Sequence, residues 1–446
     1  MILPKKEIVE KWVLDPFNQI ISSSKTSGIL LFGSALLAMI VANSPLRHWY
    51  HDLWEIHFSI GFDGKSIDKT LHHWINDGLM AMFFFVVGLE LKRELLVGEL
   101  KNPKNAILPI LAALGGMLLP ALIYLYFNHG TAAADGWGIP MATDIAFALG
   151  VLYLLGDKVP LSLKIFLTAI AIVDDIGAVL VIAFFYTSTI DTESLFWGGI
   201  VLAVMIGGNF LGVRKTLFYA ILGIGGLWLA FLLSGVHATI AAVLAAFCIP
   251  ASTKIDESLF VGKSNKLVQE FDEATPNNVS LVTHEQYQIL DKLRSLSKRA
   301  IPPLQRLEHS LHPIVSFIVM PLFAFSNAGI TLIDSSDSPL FSTVTVGVIL
   351  GLIVGKLLGV AGVTYVMVKL KWATLPDGMN TRQILGIGFL SAIGFTMSLF
   401  IAGLAFADAE ILNQAKFGVF LASVLSSFIG YFIITHSLKT QNAKSP

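Results

Sequence analysis

Two aspartates stand side by side in the stretch AIVDDIGAVLVIAFF, residues 171–185. The apolar run around Asp174 and Asp175 extends from Ile165 to Tyr186, and Thr168 is its only other polar side chain. Carboxylate oxygens suit protons and small hard cations. A pair of carboxylates can hold two protons, or it can hold one monovalent cation with both groups ionised.

An ionised side chain in such an apolar run is energetically unfavourable. An ionised aspartate at mid-bilayer costs about 2.5–3.5 kcal/mol, so this pair would cost roughly 5–7 kcal/mol if both were unpaired. Adjacent positions on a helix are about 100° apart. Asp174 and Asp175 are therefore expected to face different surroundings, one a cavity and the other a neighbouring helix.

Two more ionisable groups lie deep in apolar segments: Asp144 in GIPMATDIAFALG and Lys356 in ILGLIVGKLLGV. Lys356 is the only cation deep in a predicted span, so we expect it to pair with one of the aspartates. Alternatively, the pair only holds a helix bundle together. One lysine cannot neutralise three acids, however, which favours a functional role for the Asp174–Asp175 doublet.

The segments around some of these groups are rich in helix-weakening residues. Proline removes a backbone donor and glycine weakens a helix by about 1 kcal/mol. The relevant positions are Gly136, Gly138 and Pro140 before Asp144, and Gly386, Gly388, Gly394 and Gly403 in GIGFLSAIGFTMSLFIAG. Two interrupted spans at matching places in two repeats, spans 3–5 and 10–12, predict a transporter binding site. Asp144 would offset positive half-helix N-termini there, and Lys356 negative C-termini. The alternative is that the glycines serve only close helix packing.

The composition places these segments in a membrane. The chain has 446 residues, of which 54% are hydrophobic and only 14% charged, whereas a soluble domain carries about 25% charged residues. The net charge of −1 argues against nucleic-acid binding. The single cysteine, Cys248, cannot form an internal disulfide.

About twelve segments are long and apolar enough to cross a bilayer. They lie near residues 25–43, 71–91, 106–127, 132–155, 161–186, 193–212, 216–232, 235–250, 303–328, 343–368, 383–406 and 413–437. Lys and Arg concentrate in the N-terminal arm, the even-numbered connections and the C-terminal tail. This alternation predicts an even number of spans with both termini in the cytoplasm.

The expected fold is an all-α polytopic membrane protein, a single transport domain over residues 1–446 with two broken, crossing spans, the fourth and the eleventh. Residues 44–70 are predicted to form an extracytoplasmic loop with a hairpin turning at Asp63-Gly64. Residues 251–302 are predicted to form a long cytoplasmic loop, in which 284–299 form an amphipathic helix and 264–280 are flexible. The first 25 residues are expected to form an amphipathic, interfacial lead-in to the first span.

A site with two carboxylates suggests a mechanism. If only the doubly protonated and the cation-loaded states cross the membrane, each cycle exchanges two protons for one cation. One net charge then moves, worth about 2.3 kcal/mol per 100 mV. Competition for the same oxygens would make transport depend on pH. Alternatively, Lys356 would carry one of the exchanged protons if it released its own proton during the cycle.

Several motifs together resemble the NhaA family of bacterial sodium/proton antiporters. They run in order over nearly all of the chain: INDGLMAMFFFVVGLELKREL, PMATDIAFALGVL, AIVDDIGAVLVIA, LSGVHATIAAVL, RLEHSLHP, PLFAFSNAGI and GFTMSLFIAGLAF. Inverted repeats with broken helices are a known property of this family, so that architecture is also what the resemblance implies.

The resemblance implies exchange of Na⁺ or Li⁺ for H⁺ across the bacterial inner membrane, without a cofactor and without enzymatic activity. It implies that Asp175 is the main cation and proton ligand, with Asp174 beside it. It also implies that Thr143 and Asp144, the other residues expected to bind the cation or protons, lie at the crossing of spans 4 and 11 near Lys356. The only metal expected at Asp174 and Asp175 is the transported Na⁺. The family forms homodimers, partly through a hairpin in the first connection.

The resemblance also implies a cytoplasmic funnel and a pH response. The matching residues are Glu90, Glu94, Glu308, His309, His312 and His237. Other interpretations stay open for them: Glu90 and Glu94 also fit a solvated helix end, and His237 a packing histidine. Asp77 fits either a functional role or a helix cap. The connection 251–302, next to Glu308, is longer than expected for the family, so the pH profile is the least transferable property.

Two other functions are compatible with the buried acids and the broken helices. A sodium-driven symporter of a small organic anion could be built on the same broken helices, although the spans lack further cations to bind such a substrate. An intramembrane aspartyl hydrolase could use Asp144 and Asp174 as a dyad. The adjacent acids, the deep lysine and the lack of a GxGD motif argue against the hydrolase.

Overall fold

The computed structural model describes residues 24–62, 65–187, 190–274, 281–331, 341–376 and 378–442. The first part contains α1 (Ser24–Ala42), α2 (Arg47–Glu55), β1 (His57–Phe62), β2 (Lys65–Thr70), α3 (Leu71–Val97), α4 (Pro103–Asn128), a 3₁₀ helix (Ala134–Met141), α5 (Ile145–Leu154), α6 (Leu161–Phe185), α7 (Thr192–Phe210), α8 (Thr216–Ser234) and α9 (Ala238–Cys248). The second part contains α10 (Glu257–Glu273), α11 (His284–Ala300), α12 (Pro303–Asn327), α13 (Thr343–Lys369), α14 (Thr381–Ser391), α15 (Phe395–Ala405) and α16 (Ala409–Asn442).

Ten helical stretches in this part of the chain are long and apolar enough to cross a membrane, which confirms the all-α polytopic class. The first predicted span meets the same test only as α1 and α2 together, which are bent by 113°. The eighth predicted span corresponds to α9, which has only 11 residues. That length gives about 17 Å, roughly half of the hydrocarbon core. The count of twelve and the inverted repeats stay predictions.

The outside of the bundle is apolar, as a bilayer requires. Phe184, Phe210 and Leu211 are 77%, 90% and 86% exposed, although such side chains would be buried in a soluble protein.

Lys356 enters the interior because α13 packs very closely against α4. A Cβ on Gly359 would lie 2.3 Å from the carbonyl oxygen of Gly115, so only glycine permits this approach. Lys356 itself is flanked by two π-helical segments, Gly351–Gly355 and Leu357–Gly362. Such segments occur frequently at functional sites.

The first connection contains the expected antiparallel hairpin. Strand β1 pairs with β2, with His57 opposite Thr70 and Phe62 opposite Lys65. This register leaves a two-residue connection, but the predicted turn at Asp63-Gly64 lies outside the described residues. The predicted interfacial lead-in also lies outside them up to residue 23.

The connection 251–302 is more helical than predicted. The expected amphipathic helix is α11, which begins with a capping box formed by Thr283 and Gln286. The flexible loop predicted over 264–280 is wrong for its first part, because residues 264–273 belong to α10; residues 275–280 are not described. The partly buried positions of α10 are Phe260, Ser264, Leu267, Glu270 and Phe271.

The physical reason for this error is that the apolar stripe of α10 is sparse. Its apolar members, Phe260, Leu267 and Phe271, are spaced by seven and four residues, which is the period of one helix face. Helix α10 packs against α11. Tertiary packing therefore stabilises a helix whose composition alone resembles a loop.

Candidate functional site

The breaks in the two interrupted spans lie against each other. The first, at residues 142–144, separates the 3₁₀ helix from α5; the second, at 392–394, separates α14 from α15. The backbone amide of Asp144 donates to the carbonyl of Ile393 at 2.6 Å. The hydroxyl of Ser398 donates to the carbonyl of Ile139 at 2.7 Å. The predicted crossing of two broken helices is confirmed.

Gly394 makes this crossing possible. A Cβ at that position would lie 2.2 Å from Oγ of Ser398 and 3.1 Å from the carbonyl oxygen of Ala142. A larger residue would push the two spans apart. The unwound backbone is sheltered by protein on all sides, since residues 392–398 are buried, as non-helical structure at membrane depth requires.

Asp144 lies between the N-termini of two half-helices. Its Oδ1 accepts from the amide of Phe147 in α5 at 3.0 Å, and its Oδ2 accepts from the amide of Thr396 in α15 at 2.9 Å. The Thr396 hydroxyl donates to the same Oδ2. Both oxygens of Asp144 therefore have protein donors, and its charge opposes the positive ends of two helices.

Lys356 forms an ion pair with Asp174. Its Nζ lies 2.5 Å from Asp174 Oδ2, and both side chains are fully buried. It also donates to the hydroxyl of Thr143 at 3.0 Å. That hydroxyl lies 2.6 Å from Asp174 Oδ2 and 2.8 Å from the carbonyl oxygen of Ser391. Thr143 thus lies between Lys356 and the C-terminal end of α14, and it makes the hydrogen bond to the last residue of that helix.

Asp175 differs from both other acids. It is 1% exposed, and neither of its carboxylate oxygens has a hydrogen-bond partner among the described residues. Oδ1 of Asp174 likewise has none in this part of the chain. A buried ionised carboxylate without a partner is strongly unfavourable. Asp175 is therefore a group that a proton or a bound cation would stabilise.

A second group of charged residues lies at one end of α3. Arg93 forms an ion pair with Glu308 of α12 and a second one with its neighbour Glu94 at 3.0 Å. Glu90 lies one turn of helix earlier and is close enough to interact electrostatically with both Glu308 and Asp175. Glu90 therefore stands between this charged group and the buried site.

The predicted histidines do not all belong to this group. His309 and His312 follow Glu308 on α12 and are exposed. His237 lies elsewhere: its Nε2 is 2.9 Å from the carbonyl oxygen of Tyr186, which follows α6. It is electrostatically close to Asp77. Asp77 and Arg93 are 16 residues apart on α3, about 24 Å along a helix.

Two site residues were missed by the sequence analysis. Thr396 binds Asp144 through its amide and hydroxyl, and Ser391 accepts from Thr143 through its carbonyl. Both stand in the GIGFLSAIGFTMSLFIAG stretch, but neutral polar residues in an apolar span carry no conspicuous energetic cost. The position of Thr396 two residues after Gly394 was the only available signal.

Oxygens of Asp174, Asp175 and Thr143 could hold a small cation, whereas both oxygens of Asp144, also predicted as a ligand, already accept hydrogen bonds from the protein. No grouping of three or more His, Cys, Asp or Glu side chains suited to a metal ion occurs within the described ranges.

Comparisons with known proteins agree over nearly the whole length. The family model described as Na⁺/H⁺ antiporter 1 matches residues 18–434. The Na⁺/H⁺ antiporter NhaA of Oleidesulfovibrio alaskensis is 48% identical over 95% of this chain and 94% of its own. The Na⁺/H⁺ antiporter NhaA of Wolinella succinogenes is 49% identical over 93% of this chain and 92% of its own.

A third relative bears on chain length. The Na⁺/H⁺ antiporter NhaA of Sulfurimonas denitrificans is 43% identical over 98% of this chain and 99% of its own. The match therefore covers nearly the whole of both chains.

Proposed function

The chain belongs to the Na⁺/H⁺ antiporter 1 family, and from this we propose that it exports Na⁺ or Li⁺ in electrogenic, pH-regulated exchange for about two protons. We place it in the bacterial inner membrane with both termini in the cytoplasm, as a homodimer. In this proposal it needs no cofactor and is not an enzyme.

The observation that carries the proposal is the contrast among three buried acids. Asp144 is satisfied by three donors, and Asp174 is paired with Lys356. Asp175, next to Asp174 in α6, has no hydrogen-bond partner in the described structure. A proton and a cation would compete for this carboxylate, and that competition couples the two fluxes.

We assign the first proton to Asp175 and the second to the Asp174–Lys356 pair taken as one titrating unit. Two groups at 2.5 Å share their protonation states, so the proton belongs to the pair rather than to either residue. A cation that binds Asp174 displaces the ammonium of Lys356, and the pair then releases one proton. Loading one cation thus expels two protons.

The same reasoning assigns roles to the other residues. Thr143 supplies a neutral oxygen beside Asp174, and Asp144 and Lys356 compensate the charges of the helix ends. We propose that Glu90, Glu94, Glu308, His309 and His312 form the pH-responsive entrance. His237 lies at the opposite end of α3, so any pH effect it has acts from there.

The alternative, a sodium-coupled symporter of a small organic anion, is less well supported. An anion needs donors or cations at the binding site. Lys356 is the only cation in the buried site described above, and Asp174 occupies it. The symporter would therefore have to break this pair to bind its substrate.

The proposal is tested by sodium-induced pH changes in everted membrane vesicles, with wild type and Asp175→Asn, between about pH 6.5 and 9. We expect NaCl to dequench a proton-sensitive dye with the wild type and not with the variant, because the amide cannot exchange a proton. The variant is nearly isosteric, and its amount in the membrane is measured by immunoblot. A wild-type protein that gives no response to Na⁺ or Li⁺ in well-energised vesicles would refute the exchange.

A further inference from the structure

The buried site contains one hydroxyl that the mechanism above does not use. Ser391 is the last residue of α14 and is 0% exposed. Its backbone carbonyl accepts a hydrogen bond from Thr143 at 2.8 Å. Its side-chain Oγ has no hydrogen-bond partner within the described residues. A serine near a helix end usually satisfies its hydroxyl locally, for instance on the carbonyl four residues before.

The neighbouring glycines show which way this part of α14 faces. A Cβ on Gly388 would lie 3.2 Å from Leu357 of α13, and one on Gly394 would lie 3.0 Å from Leu352 of α13. Ser391 is three residues after Gly388 in α14, and residues three apart share one side of a helix. Gly394, in the break beyond the end of α14, shows that the chain stays against α13 after the helix ends. Ser391 therefore stands beside α13 at the level of Lys356.

The opposite side of α14 faces another helix. A Cβ on Gly386 would lie 2.4 Å from Ile434 of α16. Gly386 and Gly388 are about 200° apart around the helix axis, so α16 and α13 lie on opposite sides of α14. The side that carries Ser391 is the one turned toward the ion pair.

The oxygens around this point form a chemically consistent set. Thr143 links Ser391 to Asp174, and Asp174 Oδ1, like Ser391 Oγ, lacks a hydrogen-bond partner in the described chain. Hard monovalent cations prefer several oxygen ligands, neutral and charged together. Two carboxylates and one hydroxyl leave room for a further neutral oxygen.

We propose that the Ser391 hydroxyl is a ligand of the transported cation, alongside Asp174, Asp175 and Thr143. This inference rests on the proposed function, since it names an additional ligand for the same cation. The hydroxyl rotates to point its lone pair at the cation and takes no part in proton release. Its loss therefore weakens cation binding and leaves the number of exchanged protons unchanged.

The test is Ser391→Ala, measured in everted vesicles as the Na⁺ concentration that gives half-maximal exchange. We expect this concentration to rise roughly three- to tenfold, which is the equivalent of one lost ligand hydrogen bond. The maximal rate and the proton-to-sodium ratio should stay close to wild type. Ser391→Cys should behave like alanine, because a thiol is a poor ligand for a hard cation.

The chain offers a matched control. Ser426 in α16 is also 0% exposed, and its Oγ also has no partner among the described residues, but it has no bond to the site. Ser426→Ala should leave the half-maximal Na⁺ concentration unchanged. A rise in both variants would indicate a general effect of removing a buried hydroxyl and would overturn the assignment.

A second readout separates binding from folding. Purified wild-type protein should gain thermal stability when NaCl replaces choline chloride, because a ligand that binds the native state stabilises it. Ser391→Ala should need a higher Na⁺ concentration for the same gain. A wild-type half-maximal concentration in Ser391→Ala refutes the ligand role, whereas absence of exchange in the wild type itself refutes the proposed function.

Discussion

Two of the ion pairs among the described residues join a cation to a carboxylate in different surroundings. Lys356 and Asp174 pair at the crossing of the broken spans, where both side chains are 0% exposed. Arg93 and Glu308 pair at the end of α3, where their side chains are 36% and 11% exposed. The first pair has no access to solvent from either partner, whereas the second keeps its cation partly in contact with the outside.

This difference in burial changes what each pair can do. A buried pair must satisfy itself, because each ion has lost several kcal/mol of hydration. Anything that binds one partner therefore releases the other with a large free-energy change. A pair with one partner partly in solvent has lost less hydration than a fully buried one, so its rearrangement adjusts the local potential at lower cost. We call Lys356–Asp174 the inner pair and Arg93–Glu308 the outer pair. We infer that the inner pair suits obligatory coupling of the proton and cation fluxes, and that the outer pair suits modulation of transport by pH.

The largest expected effect comes from removing one partner of the inner pair. Lys356→Met keeps the length of the side chain and leaves Asp174 buried without its cation. Breaking a buried pair in this way costs about 3–5 kcal/mol. We expect a strong loss of thermal stability in detergent and a loss of electrogenic exchange.

Arg93→Met is the matched variant in the outer pair. It should cost less than Lys356→Met, because the Arg93 side chain is 36% exposed whereas Lys356 and Asp174 are 0% exposed. The double variant Lys356→Met/Asp174→Asn sharpens the contrast, because it removes both buried charges and should recover part of the lost stability. Equal losses from Lys356→Met and Arg93→Met, or no recovery in the double variant, would contradict the distinction.

A smaller effect is expected at the edge of the inner site. Thr396 gives Asp144 two of its three donors, and the hydroxyl is the one that mutation can remove. Thr396→Val deletes a hydrogen bond to a charged acceptor, worth about 1.5–3 kcal/mol. Thr396→Ser keeps the hydroxyl and should remain close to wild type in thermal stability and exchange rate. If serine and valine behave alike, the hydroxyl does not hold Asp144.

The two regions also differ in how far the sequence could predict them. The inner site was conspicuous because Asp144, Asp174, Asp175 and Lys356 are charges in apolar segments, where each is costly. The glycines around them correctly predicted two broken spans. The sequence could not show which aspartate pairs with Lys356, since that depends on the rotation of α6 against α13.

The neutral hydrogen-bond partners in the inner site and the sparse apolar stripe of α10 were not predicted, for a related reason. Thr396 and Ser391 are no more costly in a membrane than many serines and threonines, so only the three-dimensional contacts reveal them. Helix α10 was missed because its apolar stripe is thin and depends on packing against α11. The pH-response role of the six residues matched by resemblance stays a prediction, and sequence spacing could not show that His237 lies at the other end of α3 from Glu308.

The smallest effect tests the modulating role of the outer pair. Glu308→Gln removes one negative charge beside Arg93 and near Glu90. The group then becomes more positive and holds protons less tightly, so the pH of half-maximal exchange should move to more acidic values. The maximal rate should stay within about twofold, because the residues of the inner site are unchanged.

The matched control for this shift is Glu270→Gln in α10. Glu270 also faces a cation, Lys266, at 3.9 Å, but that pair is largely exposed on the 251–302 connection. Measured as rate against pH at saturating Na⁺, the control profile should coincide with wild type, since salt screens exposed charges over about 8 Å at physiological ionic strength. A lower maximal rate in Glu308→Gln without a shifted profile would mean that the outer pair takes part in the transport step. The separation of coupling from modulation would then fail.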